Sequence, residues 1–71
     1  MSELELMKIF SKNLKRIMRE EKINQTELAK EIGVNRTTIS RYITGQCIPS
    51  FHTIVKIADI LFCSLDDFIA E

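Results

Sequence analysis

Apolar side chains recur along most of the chain at steps of three and four residues, which is the period of an α-helix. Near the N-terminus the recurring residues are Met7, Phe10, Leu14 and Ile17 or Met18. This pattern predicts a first helix from about Ser2 to Glu21, with most of its basic residues off the apolar stripe. No segment alternates apolar and polar residues with a period of two, so we expect an all-α fold.

Capping residues predict where the next two helices begin and end. Asn24 followed by Glu27 is a capping box of the Asx kind, and it predicts a second helix with the sequence QTELAKEI. Gly33 is expected to end that helix, because glycine tolerates the left-handed conformation at a helix C-terminus. Asn35 is expected to cap a third helix, RTTISRYI, which Gly45 ends.

Two serines predict the start of the last two helices. Ser50 follows Pro49 and is expected to cap a fourth helix. The apolar face of that helix is formed by Ile54, Ile57, Ala58 and Leu61. Ser64 with Asp67 is a second capping box and opens a fifth helix. The residues expected to point inward there are Leu65, Phe68 and Ile69. The prediction is a compact five-helix domain.

Length and composition limit the classes of protein. With 71 residues and 8.2 kDa, residues 1–71 are expected to form a single domain, too small for both a core and a large substrate cleft. The longest apolar runs are too short to cross a membrane, and no basic-then-apolar signal segment opens the chain. We therefore expect a cytoplasmic protein, in which Cys47 and Cys63 stay reduced.

The formal net charge is zero, but the charges are unevenly distributed. Residues 8–22 hold six cations against two acids, a net of +4, and residues 33–56 hold three cations and no acid. Residues 57–71 hold four acids and no cation. Such asymmetry bears on binding partners more than on the fold.

The third predicted helix has two different faces. On a wheel of about 100° per residue, an arc of about 140° from Arg36 to Arg41 also holds Thr37, Ser40 and Thr44. The apolar residues Ile39, Tyr42 and Ile43 lie on the other side. An arginine can bind O6 and N7 of guanine together, and hydroxyls suit phosphates and base edges. The polar face suits the major groove of DNA, but any amphipathic surface helix has a polar face, so the helix alone leaves both interpretations open.

The residues that precede this helix favour DNA binding. Ala29, Gly33 and Ile39 follow Gln25 by 4, 8 and 14 residues. A small Ala29 lets two helices cross closely, Gly33 allows a sharp turn between them, and Ile39 anchors the second helix in the core. This spacing predicts a helix–turn–helix over about residues 25–44.

Over roughly residues 8–70 the chain resembles the Cro/repressor-type (XRE-like) helix–turn–helix domains of phage repressors and bacterial regulators. The segments that carry the resemblance are NQTELAKEIGVNRTTISRYITG, the proline at 49, IVKIADIL and SLDDFI. The resemblance implies a five-helix, lambda repressor-like DNA-binding domain. Residues 36–43 would be its recognition helix.

The same resemblance implies roles for individual residues. Gln25 would hydrogen-bond a phosphate and steady the recognition helix, and Thr26 would add a backbone contact. The positions that match the base- and phosphate-facing residues of the family are Asn35, Arg36, Thr37, Ser40 and Arg41. Ser50 opens the fourth helix, whose amide end commonly approaches a phosphate in this family, as helix N-termini are suited to do.

The chain departs from the family pattern in two places. Many members pair an arginine of helix 1 with a glutamate of helix 3, where this chain has Met18 and Ile43, so we expect an apolar contact instead. Many members also carry Lys or Arg between the closing glycine and the proline, where this chain has QCI.

The resemblance implies a sequence-specific transcriptional regulator, a repressor that binds double-stranded DNA as a homodimer on an inverted-repeat operator. The alternative is a protein-interaction module on the same fold, such as an antitoxin, which the neutral charge and the QCI segment favour. We expect no enzymatic activity and no cofactor. Cys47, His52 and Cys63 lack the regular spacing of a metal site, so no metal is expected either.

Overall fold

The computed structural model describes residues 2–71 and contains four α-helices followed by a short 3₁₀ helix. The α-helices are α1 (Glu3–Glu21), α2 (Gln25–Ile32), α3 (Arg36–Ile43) and α4 (Phe51–Ile60), and the 3₁₀ helix is Leu65–Phe68. No strand occurs among the described residues, so the predicted all-α class is confirmed. Within this same range, none of the helices combines the length and apolarity that a membrane crossing requires.

The helix starts follow the capping residues. The Glu27 amide donates to Asn24 Oδ1 at 2.8 Å and the Asn24 amide donates to Glu27 Oε1 at 3.1 Å, which is the predicted capping box of α2. Ser50 Oγ accepts from the Thr53 amide at 3.3 Å and opens α4. α1 starts at Glu3, with Ser2 as its N-cap. Each side chain satisfies an amide that has no partner within its helix.

A residue with positive φ ends every α-helix. Gly33 and Gly45, with φ of 78° and 77°, follow α2 and α3 as predicted. After α1 and α4 the same conformation is adopted by Lys22 and Phe62, with φ of 58° and 55°. The amide of the residue after each left-handed residue donates to a carbonyl in the last turn of the helix. Ile23 N donates to the Met18 carbonyl and Cys63 N to the Ala58 carbonyl, both at 3.0 Å. This hydrogen-bond pattern is that of the Schellman motif.

All helices contribute to a single core. α1 packs against α3 on one side and the 3₁₀ helix on the other, while α2 packs against α3 and α4. The large side chains with almost no exposed surface are Phe10, Leu14, Leu28, Ile39, Ile57, Leu61 and Phe68. The rings of Phe10 and Phe68 lie 5.2 Å apart at an interplanar angle of 44°, which joins the C-terminal segment to α1.

The C-terminal segment differs from its prediction. It forms one 3₁₀ turn, and only Phe68 is buried, whereas Leu65 and Ile69 are exposed. Two hydrogen bonds join this segment to α1: Asn13 Nδ2 donates to the carbonyls of Phe68 at 2.9 Å and Ala70 at 2.8 Å. The prediction that all three apolar side chains point inward was therefore wrong for two of them.

The exposed apolar residues of this region line a groove. Its volume is about 200 Å³, and its walls come from α1, the start of α4 and the 3₁₀ helix. Its lining includes Leu6, Phe51, Leu65 and Ile69. Phe51 stands at this groove with 71% of its surface exposed.

Glycine at position 62 should give a more stable fold than alanine at that position. Phe62 is 85% exposed, so its ring contributes little burial, whereas its left-handed backbone is strained for any residue with a Cβ. We expect Phe62→Gly to unfold with a free energy about 0.5–1 kcal/mol higher than Phe62→Ala, after the entropy cost of glycine is subtracted. Urea unfolding of the two variants measures this difference. Equal stabilities would contradict the prediction, because they would show that relief of the left-handed conformation does no more than offset the entropy cost of glycine.

Candidate nucleic-acid interface

The start of α3 differs from the prediction in one respect. Asn35 occupies the N-cap position, but its side chain makes no capping hydrogen bond, so the predicted role of Asn35 as a side-chain cap was wrong. The Thr38 amide instead donates to the Asn35 carbonyl at 3.0 Å. The turn from α2 to α3 is short and leaves the Asn35 side chain exposed, so its amide is available to an outside partner.

The two faces of α3 separate as predicted. Arg36, Thr37 and Arg41 are exposed and Ser40 is half-buried, whereas Ile39 and Tyr42 are buried. The exposed residues share one arc of the helix with Ser40. The helix therefore presents two guanidinium groups and two hydroxyls outward.

The buried edge of α3 fixes the direction of its polar face. Ile39 is fully inaccessible to solvent and lies in the same core cluster as Leu28 and Ala29 of α2. Burial, and secondarily the Cys47 thiol, raises the pKa of Tyr42 above its ordinary value, so its hydroxyl stays neutral. Because this edge is committed to the core, α3 cannot rotate to hide its arginines.

Ala29 lies at the end of α2 that leads into the turn before α3. Its side chain is buried, and its carbonyl accepts hydrogen bonds from the amides of Gly33 at 2.9 Å and Val34 at 3.0 Å. These bonds close the turn between the two helices. The predicted helix–turn–helix geometry is therefore present at Ala29, Gly33 and Ile39.

The remaining predicted site residues lie at helix starts. Gln25 and Thr26 form the first turn of α2, where Gln25 is half-buried and Thr26 is exposed. Ser50 is exposed at the N-cap of α4, which packs on α2. Helix starts carry amides without a partner in the helix, and these donate well to phosphate oxygens. Because α2 packs against both α3 and α4, the starts of α2, α3 and α4 belong to one packed unit.

The segment that contains α3 carries cations and no acid. Residues 33–56 contain no acid, and the only ion pair among residues 2–71 is Arg16 with Glu20 at 3.3 Å, on α1. Arg36 and Arg41 therefore keep their charge unpaired within the described chain. Unpaired, exposed guanidinium groups suit an anionic partner, because little has to be broken before they bind it.

Two polar residues of α1 were missed from the sequence. Ser11 and Asn13 are buried beside the apolar stripe, and Ser11 Oγ donates to the Ile43 carbonyl at the end of α3. Met18 is buried and Ile43 is half-buried in the same apolar cluster, where many resembling proteins carry an ion pair. The signal for Ser11 and Asn13 was available: both flank the predicted inward positions of an amphipathic helix.

Cys47, Cys63 and His52 lie apart from the polar face of α3 in the sequence, and the cysteines differ from the histidine in exposure. Both cysteines carry free thiols and are half-buried, and His52 is exposed. Burial, followed by the nearby carboxylates Asp67 and Glu21, raises the pKa of Cys63, which keeps it a thiol rather than a nucleophilic thiolate. Residues 2–71 bring together no three His, Cys, Asp or Glu side chains able to hold a metal ion.

Comparison with known proteins agrees with this geometry. The model of the Helix-turn-helix family matches residues 14–68, which is most of the chain and includes α2, the turn and α3. The chain belongs to the helix-turn-helix family. The match begins within α1 and ends at Phe68, so Ser11 and the N-terminal half of α1 lie outside it.

Similar proteins include regulators and one solved structure. The chain is 34% identical over 58 residues to an uncharacterized HTH-type transcriptional regulator, YqaE, of Bacillus subtilis, covering 82% of this chain and 50% of that protein. It is 40% identical over 43 residues to the cryptic phage CTXphi transcriptional repressor RstR of Vibrio cholerae, covering 61% and 38%. The matched part of the chain thus covers half or less of the length of these two curated relatives. The solution structure of a SOS-response transcriptional repressor, LexA, from Eubacterium rectale aligns with a TM-score of 0.87 at 30% identity, over 94% of this chain and 71% of that one.

Proposed function

We propose that this chain is the DNA-binding domain of a transcriptional regulator, a repressor, that inserts α3 into the major groove. The observation that carries the proposal is the polar face of α3, where Arg36 and Arg41 are exposed and unpaired while Ile39 is held in the core. A helix that exposes such a face suits direct reading of base edges. Regulators and repressors among the relatives support the same function.

The roles divide between base reading and positioning. Arg36 and Arg41 read guanines or clamp phosphates, and their neighbours on the same face refine the choice of sequence. Those neighbours are Asn35, Thr37 and Ser40. Gln25, Thr26 and Ser50 hold the phosphate backbone and set the register, since phosphate contacts position a protein while base contacts specify the sequence.

We propose that the regulator acts as a homodimer on an inverted repeat. Phe51 projects from the groove that Leu6, Leu65 and Ile69 line, so a twofold axis can seat the Phe51 of each copy in the groove of the other. The zero net charge imposes no long-range repulsion between two copies. Two copies would bring two α3 helices to successive major grooves about 34 Å apart.

The alternative is a protein-interaction module on the same fold, such as an antitoxin. The observations that favour it are the zero net charge and the absence of a cation between Gly45 and Pro49. In either case the protein works by binding and not by catalysis.

DNA binding should show a steep dependence on salt. A protein that neutralises several phosphates loses affinity in proportion to the logarithm of salt concentration, with a slope of about −0.9 per phosphate. We expect binding to random duplex to weaken steeply between about 50 and 200 mM salt. Selection from a random duplex pool should return a palindromic site. A salt-independent signal together with no selected sequence would favour the protein-interaction alternative.

Removal of either recognition arginine should weaken specific binding. Arg36→Ala or Arg41→Ala is expected to cost about 1–3 kcal/mol on the selected site if a two-pronged guanine contact is lost. Arg→Lys at the same position keeps the charge but loses that geometry, so it should relax specificity more than it weakens binding to random duplex. Lys56→Ala, an exposed cation on α4, is the control. Base reading by α3 would be refuted if Arg36→Ala and Arg41→Ala bound the selected site with the same affinity as Lys56→Ala and the wild-type protein.

Dimerisation should depend on Phe51 and not on Phe62. Phe51→Lys places a charge in the apolar groove and should shift the monomer–dimer equilibrium toward monomer by at least tenfold. Phe62→Lys makes the same chemical change at an even more exposed ring that does not line the groove, and it is the matched control. Sedimentation equilibrium measures both. A wild-type protein that stays monomeric even on the palindromic site, or equal effects of both changes, would contradict the proposed interface.

A further inference from the structure

α1 carries a row of cations that the proposed site does not use. Lys8, Lys15 and Lys22 are exposed and follow one another at intervals of seven residues, about two helical turns. The row is therefore about 21 Å long. We call these three residues the flank lysines.

Two hydrogen bonds show which side of α1 the flank lysines occupy. Ser11 Oγ donates to the Ile43 carbonyl, so the Ser11 side of α1 faces the end of α3. Asn13 Nδ2 donates to the carbonyls of Phe68 and Ala70, so the Asn13 side faces the C-terminal segment. Ser11 and Asn13 lie about 160° apart around the helix, on its two opposite flanks.

The cations of α1 divide between these flanks. On the exposed arc of α1, Lys15 and Lys8 lie about 40° and 60° beyond Ser11, on the flank of α3, and Lys22 is the exposed C-cap at the end of the helix. Arg16 lies on the Asn13 flank, where it donates to Glu20 and to Asn13 Oδ1 at 3.3 Å. The acidic tail, residues 66–71, is on that flank too. The flank lysines thus stay unpaired, whereas Arg16 is neutralised.

Both elements proposed to hold phosphates are connected to α1. α1 ends at Glu21, and Lys22 is followed three residues later by Gln25. The turn after α3 adjoins Ser11, whose Cβ is 3.9 Å from an ideal Cβ built on Gly45, and that turn leads to Ser50. No cation lies between Gly45 and Pro49. The flank lysines of α1 therefore carry positive charge near a turn that has none between Gly45 and Pro49.

We propose that the flank lysines bind backbone phosphates beside the half-site that α3 reads, so that α1 is a second DNA-contacting surface. The inference rests on the proposed function. Its chemistry is ionic and independent of sequence, because lysine side chains act as flexible point charges. Lys12 and Arg19, which lie farther round the exposed arc, add to the same field.

The test compares two double variants with equal loss of charge. Lys8→Gln/Lys15→Gln removes two flank lysines, whereas Lys30→Gln/Lys56→Gln removes two exposed lysines from α2 and α4. Lys22 is left intact because its positive φ ends α1. The first variant should reduce the magnitude of the slope of log K against log salt by about one to two, equally on selected and random duplexes. The second should change it much less, and Lys15→Arg should retain the wild-type slope.

The outcomes separate this inference from the proposed function. If wild-type protein binds with a steep salt slope and both double variants change it equally, the second surface is refuted while the function of α3 stands. If the loss appears on the selected duplex but not on the random one, the flank lysines do not act through phosphates and the inference is again refuted. If the wild-type protein shows no salt-dependent binding at all, both proposals fail together.

Discussion

Burial of one edge of α3 is the constraint on which the rest of the molecule depends. Ile39 has no exposed surface and Tyr42 has little, and full burial of such a side chain contributes roughly 1.5–3 kcal/mol. That is a large share of the net stability of a small domain, which is roughly 5–15 kcal/mol. With one edge held in the core, the opposite edge must face solvent, and it carries Arg36 and Arg41.

α1 is bonded to two other parts of the molecule through two polar residues at the borders of its apolar stripe. Ser11 ties it to the end of α3, and Asn13 ties it to the carbonyls of the C-terminal segment. These bonds place the acidic tail on one flank and leave the unpaired cations on the other. The charges of the chain sum to zero but are unevenly distributed, and a neutral total does not imply a neutral binding face.

The features predicted correctly are those set by local chemistry. The Asn24–Glu27 capping box, the glycine turns at Gly33 and Gly45 and the apolar period of α1 each depend on residues a few positions apart. The errors arose where local signals were absent or competed with contacts distant in sequence. Asn35 looks like a cap but makes no capping hydrogen bond, and nothing in their residue types predicted that Lys22 and Phe62 would adopt a left-handed backbone.

The sequence by itself determined the all-α class, the bounds of the first three helices, the start of the fourth and the face of α3 that carries arginine and hydroxyl groups, because helical period and capping act over one or two turns. Only the tertiary structure decided that the C-terminal segment is a 3₁₀ turn held by Asn13, that Leu65 and Ile69 remain exposed beside Phe51, and which flank of α1 adjoins α3. Ser11 and Ile43 are 32 residues apart and Asn13 and Phe68 are 55 apart. Their pairing follows from how whole helices share one core, and no local pattern contains that information.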